Sequence, residues 1–215
     1  MAIPRVTVLT SGRGSNLRAL INADAEGRLE GTIAAVISNR AAIPALDIAA
    51  THGIPGFVVP HEAYADRDAF DAALAAAIDA TEPDLVVLAG FMRVLGPELV
   101  GRYEARMLNI HPSLLPSYPG LHTHRRALAD GVRIHGCTVH FVTAALDHGP
   151  IVAQGAVPVR DDDDEASLAA RVLAVEHRLL PAAVKAFCAG QLVIAGGRVH
   201  VKHESVPDAT LEVPT

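Results

Sequence analysis

The sequence predicts an α/β protein in which a mostly parallel sheet is flanked by helices. Short runs of β-branched and apolar residues alternate with longer segments whose apolar residues recur every three or four positions. Strands that alternate with helices in this way pair in parallel through right-handed crossovers. Half of the 215 residues are hydrophobic and a fifth are charged, which predicts a single folded domain and excludes disorder as the main state.

The first half of the chain has the clearest alternation. The strand at 6–10 is β-branched and stops at a Ser-Gly pair, glycines follow the first two helices, and the helix at 97–102 begins with a proline. The helix at 66–80 is strongly amphipathic, with large apolar residues four positions apart. The predicted elements of this half are the strand 6–10, the helix 16–25, the strand 33–37, the helix 42–51, the strand 57–59, the helix 66–80, the strand 85–88 and the helix 97–102.

The second half is less regular. A brief strand at 107–110 leads into a segment with prolines at positions 112, 116 and 119, which is more typical of a functional loop than of a linker. Strands at 137–142 and 151–159 are expected to pair with each other. Five consecutive acids at 161–165 then precede a helix that extends to 187, where negative charge favours a helix N-terminus more than it indicates a cation site. The remaining predictions are a kink or break at Pro181, a hairpin turn at Gly196-Gly197 between the strands 192–194 and 198–201, and a loosely ordered tail after His203.

Composition restricts the class of protein. The net charge of −6 argues against a general nucleic-acid binder, and no apolar run approaches the roughly 18 residues that a membrane span needs. The two cysteines, Cys137 and Cys188, form no disulfide framework and are expected to be small core residues in a reducing compartment. We therefore expect a soluble, cytoplasmic enzyme with neither a nucleic-acid nor a membrane partner.

A glycine-rich turn, Ser11-Gly-Arg-Gly-Ser-Asn16, joins the first strand to the first helix. Backbone amides in such a turn and at the following helix N-terminus can bind an anion, and Ser15 and Asn16 can cap the helix or donate to a phosphate. Leu17 stands where a dinucleotide-binding fingerprint has its third glycine, so the full fingerprint is not present. The alternative interpretation is an ordinary tight turn.

Three further residues could carry acid–base chemistry. Asn109 and His111 are two positions apart on an extended segment, so both side chains point to the same face, where they could stabilise an oxyanion and handle a proton. Asp147 precedes His148, Gly149 and Pro150 in a turn, and a carboxylate near His111 would favour the charged imidazole. Each signal alone also fits a purely structural role, as a histidine whose hydrogen bonds are made within the fold or as an aspartate of an ordinary turn.

Four more imidazoles raise the question of a metal. The chain has no Cys-x-x-Cys pair and no His-Glu-x-x-His motif, so we expect no metal site. His148 is expected to be an exposed loop residue without a catalytic role. The four imidazoles considered as ligands are His122, His124, His135 and His140.

Taken in order, the motifs resemble those of one family. The glycine-rich turn is followed by Ala89-Gly-Phe-Met-Arg-Val-Leu95, Asn109-Ile-His-Pro-Ser-Leu-Leu-Pro116, Pro119-Gly-Leu-His-Thr-His-Arg125 and Leu146-Asp-His-Gly-Pro150. This order resembles the phosphoribosylglycinamide formyltransferases, the folate-dependent enzymes of purine synthesis, from about residue 4 to 195. The resemblance implies a single-domain formyltransferase fold over 1–205, with a Rossmann-like N-terminal half at about 1–103, a C-terminal half at about 104–205 and a tail at 206–215.

The resemblance also implies the reaction. The formyl group of 10-formyltetrahydrofolate, a co-substrate, would pass to the amine of 5-phosphoribosylglycinamide by direct attack, without a metal, in a monomer or a homodimer. The implied catalytic residues are Asn109, His111 and Asp147. The implied ribotide-binding residues are Gly14, Ser15, Asn16 and Glu176. The implied formylfolate-binding residues are Arg67, Met92, Arg93, Val94, Leu95 and Asn109.

Other functions on a similar sequence remain as alternatives. A methionyl-tRNA formyltransferase would add an RNA-binding domain and a basic surface, and a formyltetrahydrofolate hydrolase would add an N-terminal domain before the first strand. The hydrolase shares the Asn, His and Asp, so these three residues do not separate the two activities. A non-catalytic ligand-binding domain is disfavoured by the same three residues. A nicotinamide dehydrogenase is disfavoured because Ser38-Asn39, rather than an acid, ends the second strand.

Overall fold

The fold is a seven-stranded sheet covered by helices, in the order β3-β2-β1-β4-β5-β6-β7. The computed structural model of the protein describes residues 2–202. The first five strands along the sheet are parallel, whereas β6 pairs antiparallel with both β5 and β7. The seven strands are β1 (Arg5–Thr10), β2 (Thr32–Ser38), β3 (Gly56–Val58), β4 (Leu85–Leu88), β5 (Met107–His111), β6 (Ile134–Phe141) and β7 (Ile151–Pro158).

Six α-helices accompany the sheet: α1 (Ser15–Ala25), α2 (Pro44–Thr51), α3 (Arg67–Asp79), α4 (Pro97–Arg102), α5 (Thr123–Ala129) and α6 (Glu165–Cys188). A single 3-10 turn at His61–Ala63 precedes α3, and the hairpin β8 (Leu192–Ala195) and β9 (Arg198–Val201) forms a second, two-stranded sheet. The prediction of a mostly parallel α/β domain is thereby confirmed. The predicted tail at 206–215, and His203 before it, lie outside the described residues.

Two apolar clusters cover the two faces of the sheet. The helices α1, α2 and α6 pack on one face, where Val8 and Leu108 are fully buried. The helices α3 and α4 pack on the other, where Phe70 and Leu74 are buried against Leu9. Adjacent residues of β1 point into different clusters, as the alternation of side chains along a strand requires. This double burial explains why the parallel strands are continuous apolar runs.

Three helix predictions need correction. The second helix begins at Pro44 rather than at 42, because proline suits the first position of a helix and Ala42 has a positive φ of 51°. Pro181 does not break α6, which spans 24 residues in all, because its buried face packs against the sheet. The helix α5 was not predicted, because its short sequence carries too few periodic apolar residues to stand out after the proline-rich loop.

The acidic run at 161–165 begins α6, as expected. Asp164 is the N-cap residue, and its carboxylate accepts a hydrogen bond from the Ser167 amide while the Ser167 hydroxyl accepts one from the Asp164 amide. The neighbouring Asp163 is bound by both terminal nitrogens of Arg171, at 2.7 and 2.8 Å. The acids therefore stabilise the helix N-terminus.

Candidate active site

The site lies where three parallel strands end at the same edge of the sheet. Leu9 of β1 is level with Leu88 of β4, which is level with Asn109 of β5. Because the strands are parallel, the loops that follow them all leave from this edge. In the sheet, β2 lies on one side of β1 and β4 lies on the other, so the strand order reverses between β1 and β4. Sheets of this kind bind ligands at such a switch point.

The glycine-rich loop after β1 presents an uncapped helix N-terminus. Gly14 is the N-cap residue of α1 with a φ of 76°, and it has no side chain to cap the first turn. Of the two roles predicted for Ser15 and Asn16, helix capping is wrong, because the helix begins one residue earlier, and donation to a phosphate stays a prediction. Glycine is required at position 14, since a methyl group there would lie 2.8 Å from the Cα of Ala45 as well as in a left-handed conformation.

Asn16 and Glu176 meet across the interface between α1 and α6. Asn16 Nδ2 donates to Glu176 Oε2 at 2.7 Å, and both residues are more than nine-tenths buried. Burial raises the pKa of Glu176, and the hydrogen bond from Asn16 opposes that rise. The two residues, 160 positions apart in the chain, thus form one polar unit behind the glycine-rich loop.

Asn109 is oriented by a histidine on the neighbouring strand. His140 lies directly opposite it in β6, and Asn109 Nδ2 lies 3.1 Å from His140 Nε2. His140 Nδ1 lies 2.9 Å from the Phe141 carbonyl oxygen, which can only accept, so Nδ1 carries the proton and Nε2 accepts from Asn109. Burial lowers the pKa of His140, which keeps the ring neutral in this role. Asn109 therefore has a fixed amide orientation.

Asp147 joins the two histidines of the site. Its Oδ2 lies 3.6 Å from His111 Nδ1 and its Oδ1 lies 3.8 Å from His140 Nε2. Both separations are too long for direct hydrogen bonds, and the Asp147 carboxylate interacts electrostatically with His111, whereas the neutral His140 ring only borders it. The side chains of His111 and Asp147 are each 8% exposed, so the pair is largely shielded from solvent. Asn109, His111 and Asp147 are thus brought together, with His140 between them.

His140 was missed as a site residue. Its sequence context indicated only a possible metal ligand, although it lies in a predicted strand. Its partner depends on how β6 aligns with β5, and that register is set by long-range packing rather than by local sequence. The alternation along the predicted strand indicates which face of the sheet His140 points to, but it does not indicate that Asn109 lies opposite on β5.

The turn that follows the proline-rich loop holds both members of the pair. His111 Nε2 donates to the Tyr118 carbonyl oxygen at 2.9 Å, and the Gly120 amide donates to Asp147 Oδ2 at 2.8 Å. Arg126 of α5 donates to the Pro119 carbonyl at 2.6 Å and lies over the Tyr118 ring at 5.3 Å. One short turn, fastened by α5, therefore fixes the positions of the imidazole and the carboxylate.

The segment after β4 presents side chains at the mouth of the site. Met92 and Val94 are 63% and 55% exposed, whereas Leu95 is buried in the second cluster. Arg93 is exposed and its guanidinium lies 6.0 Å from the centre of the Phe70 ring. Arg67 is the first residue of α3, and its Nε lies 3.8 Å from the position that a Cβ atom on Gly96 would occupy. Arg67 and this segment thus border the same part of the surface.

The other imidazoles lie in separate places. His124 Nδ1 and His135 Nε2 are 3.2 Å apart, and burial lowers the pKa of both rings, that of His135 to about 4. His122 and His148 are exposed, the latter as expected. Within residues 2–202, no three histidine, cysteine or acidic side chains are grouped as a metal site would need. The same part of the chain contains no helix long and apolar enough to cross a bilayer.

The arrangement defines an α/β enzyme with an acid–base site at the switch point of a doubly wound sheet. A fixed amide donor, an imidazole and a carboxylate can stabilise charge on a carbonyl oxygen and move a proton beside it. The uncapped N-terminus of α1 adds a place for an anion.

Comparison with known proteins agrees with this class. Residues 4–184 match the model of the formyl transferase family. The chain is 48% identical over 187 residues to the phosphoribosylglycinamide formyltransferase of Escherichia coli strain K12, covering 87% of this chain and 88% of that protein. Glycinamide ribonucleotide transformylase 1 from Symbiobacterium toebii has a similar crystal structure, with a TM-score of 0.91, 48% identity and coverage of 93% and 94%. A formyltetrahydrofolate deformylase from Pseudomonas syringae pv. tomato has a TM-score of 0.87 at 30% identity, covering 93% of this chain and 66% of that one.

The chain therefore belongs to the formyl transferase family. The family resemblance predicted from the ordered motifs is confirmed.

Proposed function

We propose that the protein transfers the formyl group of 10-formyltetrahydrofolate to the amine of 5-phosphoribosylglycinamide. The products are the formylated ribotide and tetrahydrofolate, a step of purine biosynthesis. The observation that carries the proposal is the 48% identity, over most of both chains, to the phosphoribosylglycinamide formyltransferase of Escherichia coli, in a structure that brings Asn109, His111 and Asp147 together at the switch point.

The loop after β1 suits the phosphate of the ribotide. The uncapped backbone amides at Gly14, Ser15 and Asn16 can donate to an anion at the helix N-terminus, where the helix dipole adds about half a positive charge. Glu176, held by Asn16, supplies carboxylate oxygens for the ribose hydroxyls or the glycinamide side of the substrate. The ribotide is then bound through its phosphate on one side and its polar groups on the other.

The chemical step begins when the amine attacks the formyl carbon. A carbon–nitrogen bond forms and the carbonyl electrons move to oxygen, giving a tetrahedral intermediate. We assign the two donors to that oxygen as Asn109 Nδ2 and His111 Nδ1, each worth about 3 kcal/mol in the transition state. His111 Nε2 is held by the Tyr118 carbonyl, whereas Nδ1 lies 3.6 Å from Asp147 Oδ2, too far for a hydrogen bond, and is left for the formyl oxygen.

The intermediate then collapses by breaking its bond to N10 of the folate. The electrons of that bond return to N10, which gains the proton that the amine gives up. Asp147 stabilises the positive charge of His111 from 3.6 Å and positions a water that relays this proton. The scheme uses neither a covalent enzyme intermediate nor a metal ion, and its other contribution is to hold the amine and the formyl group in attack geometry.

We assign formylfolate to the surface bordered by Arg67 and by the segment 92–95. Met92 and Val94 offer exposed apolar surface to the pterin and benzoyl parts of the molecule. Arg93 is placed at the solvent side, where its charge suits the glutamate carboxylates. Leu95 contributes from beneath, since it is buried in the second cluster.

The test is an assay of both products with and without the ribotide. Tetrahydrofolate and formylated ribotide released together, only when the ribotide is present, support the transferase. Release of tetrahydrofolate and formate without ribotide would instead establish the deformylase activity, which the similarity to the Pseudomonas syringae protein makes the specific alternative. The His111→Ala variant, measured in parallel, corrects for uncatalysed loss of the formyl group.

A further inference from the structure

A buried carboxylate lies beneath the segment assigned to formylfolate. Asp71 is in the second turn of α3 and is only 6% exposed, which is unusual for an acid. Its Oδ2 accepts a hydrogen bond from the Gly96 amide at 2.6 Å. Gly96 directly follows Leu95, so this bond ends at the last backbone unit of the segment 92–95. No step of the proposed reaction uses Asp71.

The contact between Asp71 and Gly96 is close and specific. A methyl group on Gly96 would lie 2.8 Å from Asp71 Oδ2, so there is no room for a side chain at 96 while the bond exists. The φ of Gly96 is −74°, so its backbone conformation is one that any residue can adopt. Glycine is therefore required at 96 by the neighbouring carboxylate and not by backbone strain.

The segment is fixed by a hydrogen bond at each end and by Leu95, which is buried in the second cluster. At one end, the Met92 amide donates to Ser11 Oγ at 2.8 Å. At the other, the Gly96 amide donates to Asp71. Met92, Arg93 and Val94 are exposed between these two bonds. The positions of three exposed side chains thus depend on two anchoring acceptors.

Asp71 also ties this segment to the helix that carries Arg67. Arg67 and Asp71 are four residues apart in α3, which places them on one face of the helix. Burial raises the pKa of the Asp71 carboxyl, and the Gly96 amide and then the positive charge of Arg67 oppose that rise. Arg93 opposes it as well, more weakly, so both arginines lie near the carboxylate.

One oxygen of the carboxylate has no part in this anchor. Among the described residues, Asp71 Oδ1 is buried without a hydrogen-bond partner, and burying a carboxyl oxygen in this way costs stability. A buried group that costs stability and that touches the backbone of a binding segment is consistent with a functional constraint.

We propose that Asp71 is a positioning residue for formylfolate, which sets the distance between Arg67 on α3 and the segment 92–95. This inference rests on the proposed function, since it takes those residues as the two walls of the folate cleft. Asp71 acts through the Gly96 amide and does not touch the substrate. Its loss weakens the binding of formylfolate and leaves the ribotide site, on the far side of Ser11, in place.

The experiment compares four variants in steady-state assays with both substrates. Asp71→Ala removes the acceptor, and Gly96→Ala displaces the acceptor from the opposite side. Both are expected to raise KM for 10-formyltetrahydrofolate about tenfold, the effect of a lost buried acceptor, while kcat and KM for the ribotide change less than about twofold. Asp71→Asn keeps an oxygen that can accept from Gly96 and is expected to restore KM to within about threefold of the wild type.

The matched control is Asp68→Ala, which removes a 93% exposed carboxylate that lies 3.9 Å from Arg67 on the same helix. It should leave KM for formylfolate nearly unchanged. An equal rise in Asp68→Ala would mean that charge near Arg67, and not the anchor, sets affinity, and would overturn the proposal. Normal KM values in both Asp71→Ala and Gly96→Ala would overturn it as well.

The wild-type enzyme separates this inference from the proposed function. Ribotide-dependent turnover in the wild type tests the function itself, before any variant is compared. Calorimetric titration with tetrahydrofolate gives the folate affinity of each variant without turnover. If Asp71→Ala does not fold, Gly96→Ala and Asp71→Asn decide the outcome, because neither leaves the Gly96 amide facing an empty space.

Discussion

Replacing His140 with phenylalanine tests whether catalysis depends on the fixed orientation of the Asn109 amide. Phenylalanine keeps an aromatic ring at this buried position but has no nitrogen to accept from Asn109 Nδ2, which lies 3.1 Å from His140 Nε2 in the wild type. A correctly placed oxyanion donor is worth roughly 3 kcal/mol, or about a hundredfold in rate, which is the upper limit of the effect. Losing only the orientation of that donor should cost about tenfold to a hundredfold in kcat.

The assay is formyl transfer at saturating concentrations of both substrates, with the KM values measured alongside. The KM for the ribotide should stay within about twofold, since Asn16 and Glu176 do not contact His140. His148→Phe is the matched control, because it replaces an exposed imidazole beside Asp147. A His140→Phe enzyme with nearly normal kcat, next to an Asn109→Ala enzyme slowed a hundredfold, would refute the orienting role of His140.

Three further predictions concern the catalytic imidazole, the phosphate loop and acid stability. His111→Ala should lower kcat by about a hundredfold or more and leave ribotide affinity mostly intact, as rapid-quench turnover and calorimetry would measure; near-normal turnover would contradict its role. Gly14→Ala should weaken ribotide binding at least tenfold, because the added methyl group meets the Ala45 backbone at 2.8 Å and moves the amides that face the phosphate; an unchanged Kd would count against that phosphate site. Burial lowers the pKa of His135 from 6.5 to about 4, so the unfolded chain takes up this proton first as pH falls. The free energy of unfolding should therefore lose roughly 3 kcal/mol between pH 6.5 and 4 from this group, and urea titrations should show a shallower loss in His135→Phe; equal pH dependence in both proteins would contradict the assignment.

The elements that local periodicity defines were predicted closely. The helix α3 starts one residue after the predicted start and ends one residue before the predicted end, and its apolar residues Phe70, Leu74 and Ile78 are buried as their spacing requires. The strand β4 matches its prediction at both ends. In each case, the pattern is a property of consecutive residues, so the sequence contains all of it.

Predictions failed where a distant contact overrides the local preference. Of the kink or break predicted at Pro181, the break does not occur, because Leu180, Ala183 and Val184 are buried against the sheet and hold α6 together; the kink stays a prediction. The first-turn residues Ser15 and Asn16 are good capping types, but Asn16 bonds instead to Glu176, which the sequence places 160 residues away. The cost of a poor local choice is small beside the packing of a long helix.

The candidate functional residues divide in the same way. The ordered motifs point to Asn109, His111 and Asp147 as candidates, because a family resemblance concerns residue identity and spacing. They do not identify His140 or Asp71. These two act on neighbours that are 31 and 25 positions away, through the register of β6 on β5 and the approach of α3 to the loop after β4.

The sequence by itself determined the class of fold, the order of its elements and the residue types available for chemistry, because these depend on composition, local period and motif. Only the tertiary structure decided that a neutral His140 orients Asn109, that one turn holds both His111 and Asp147, and that Asp71 anchors the segment 92–95. The physical reason is the range of the forces. Backbone preference and apolar period act over a few residues, whereas burial lowers the pKa of a histidine or fixes an amide only after distant strands and helices have packed around it.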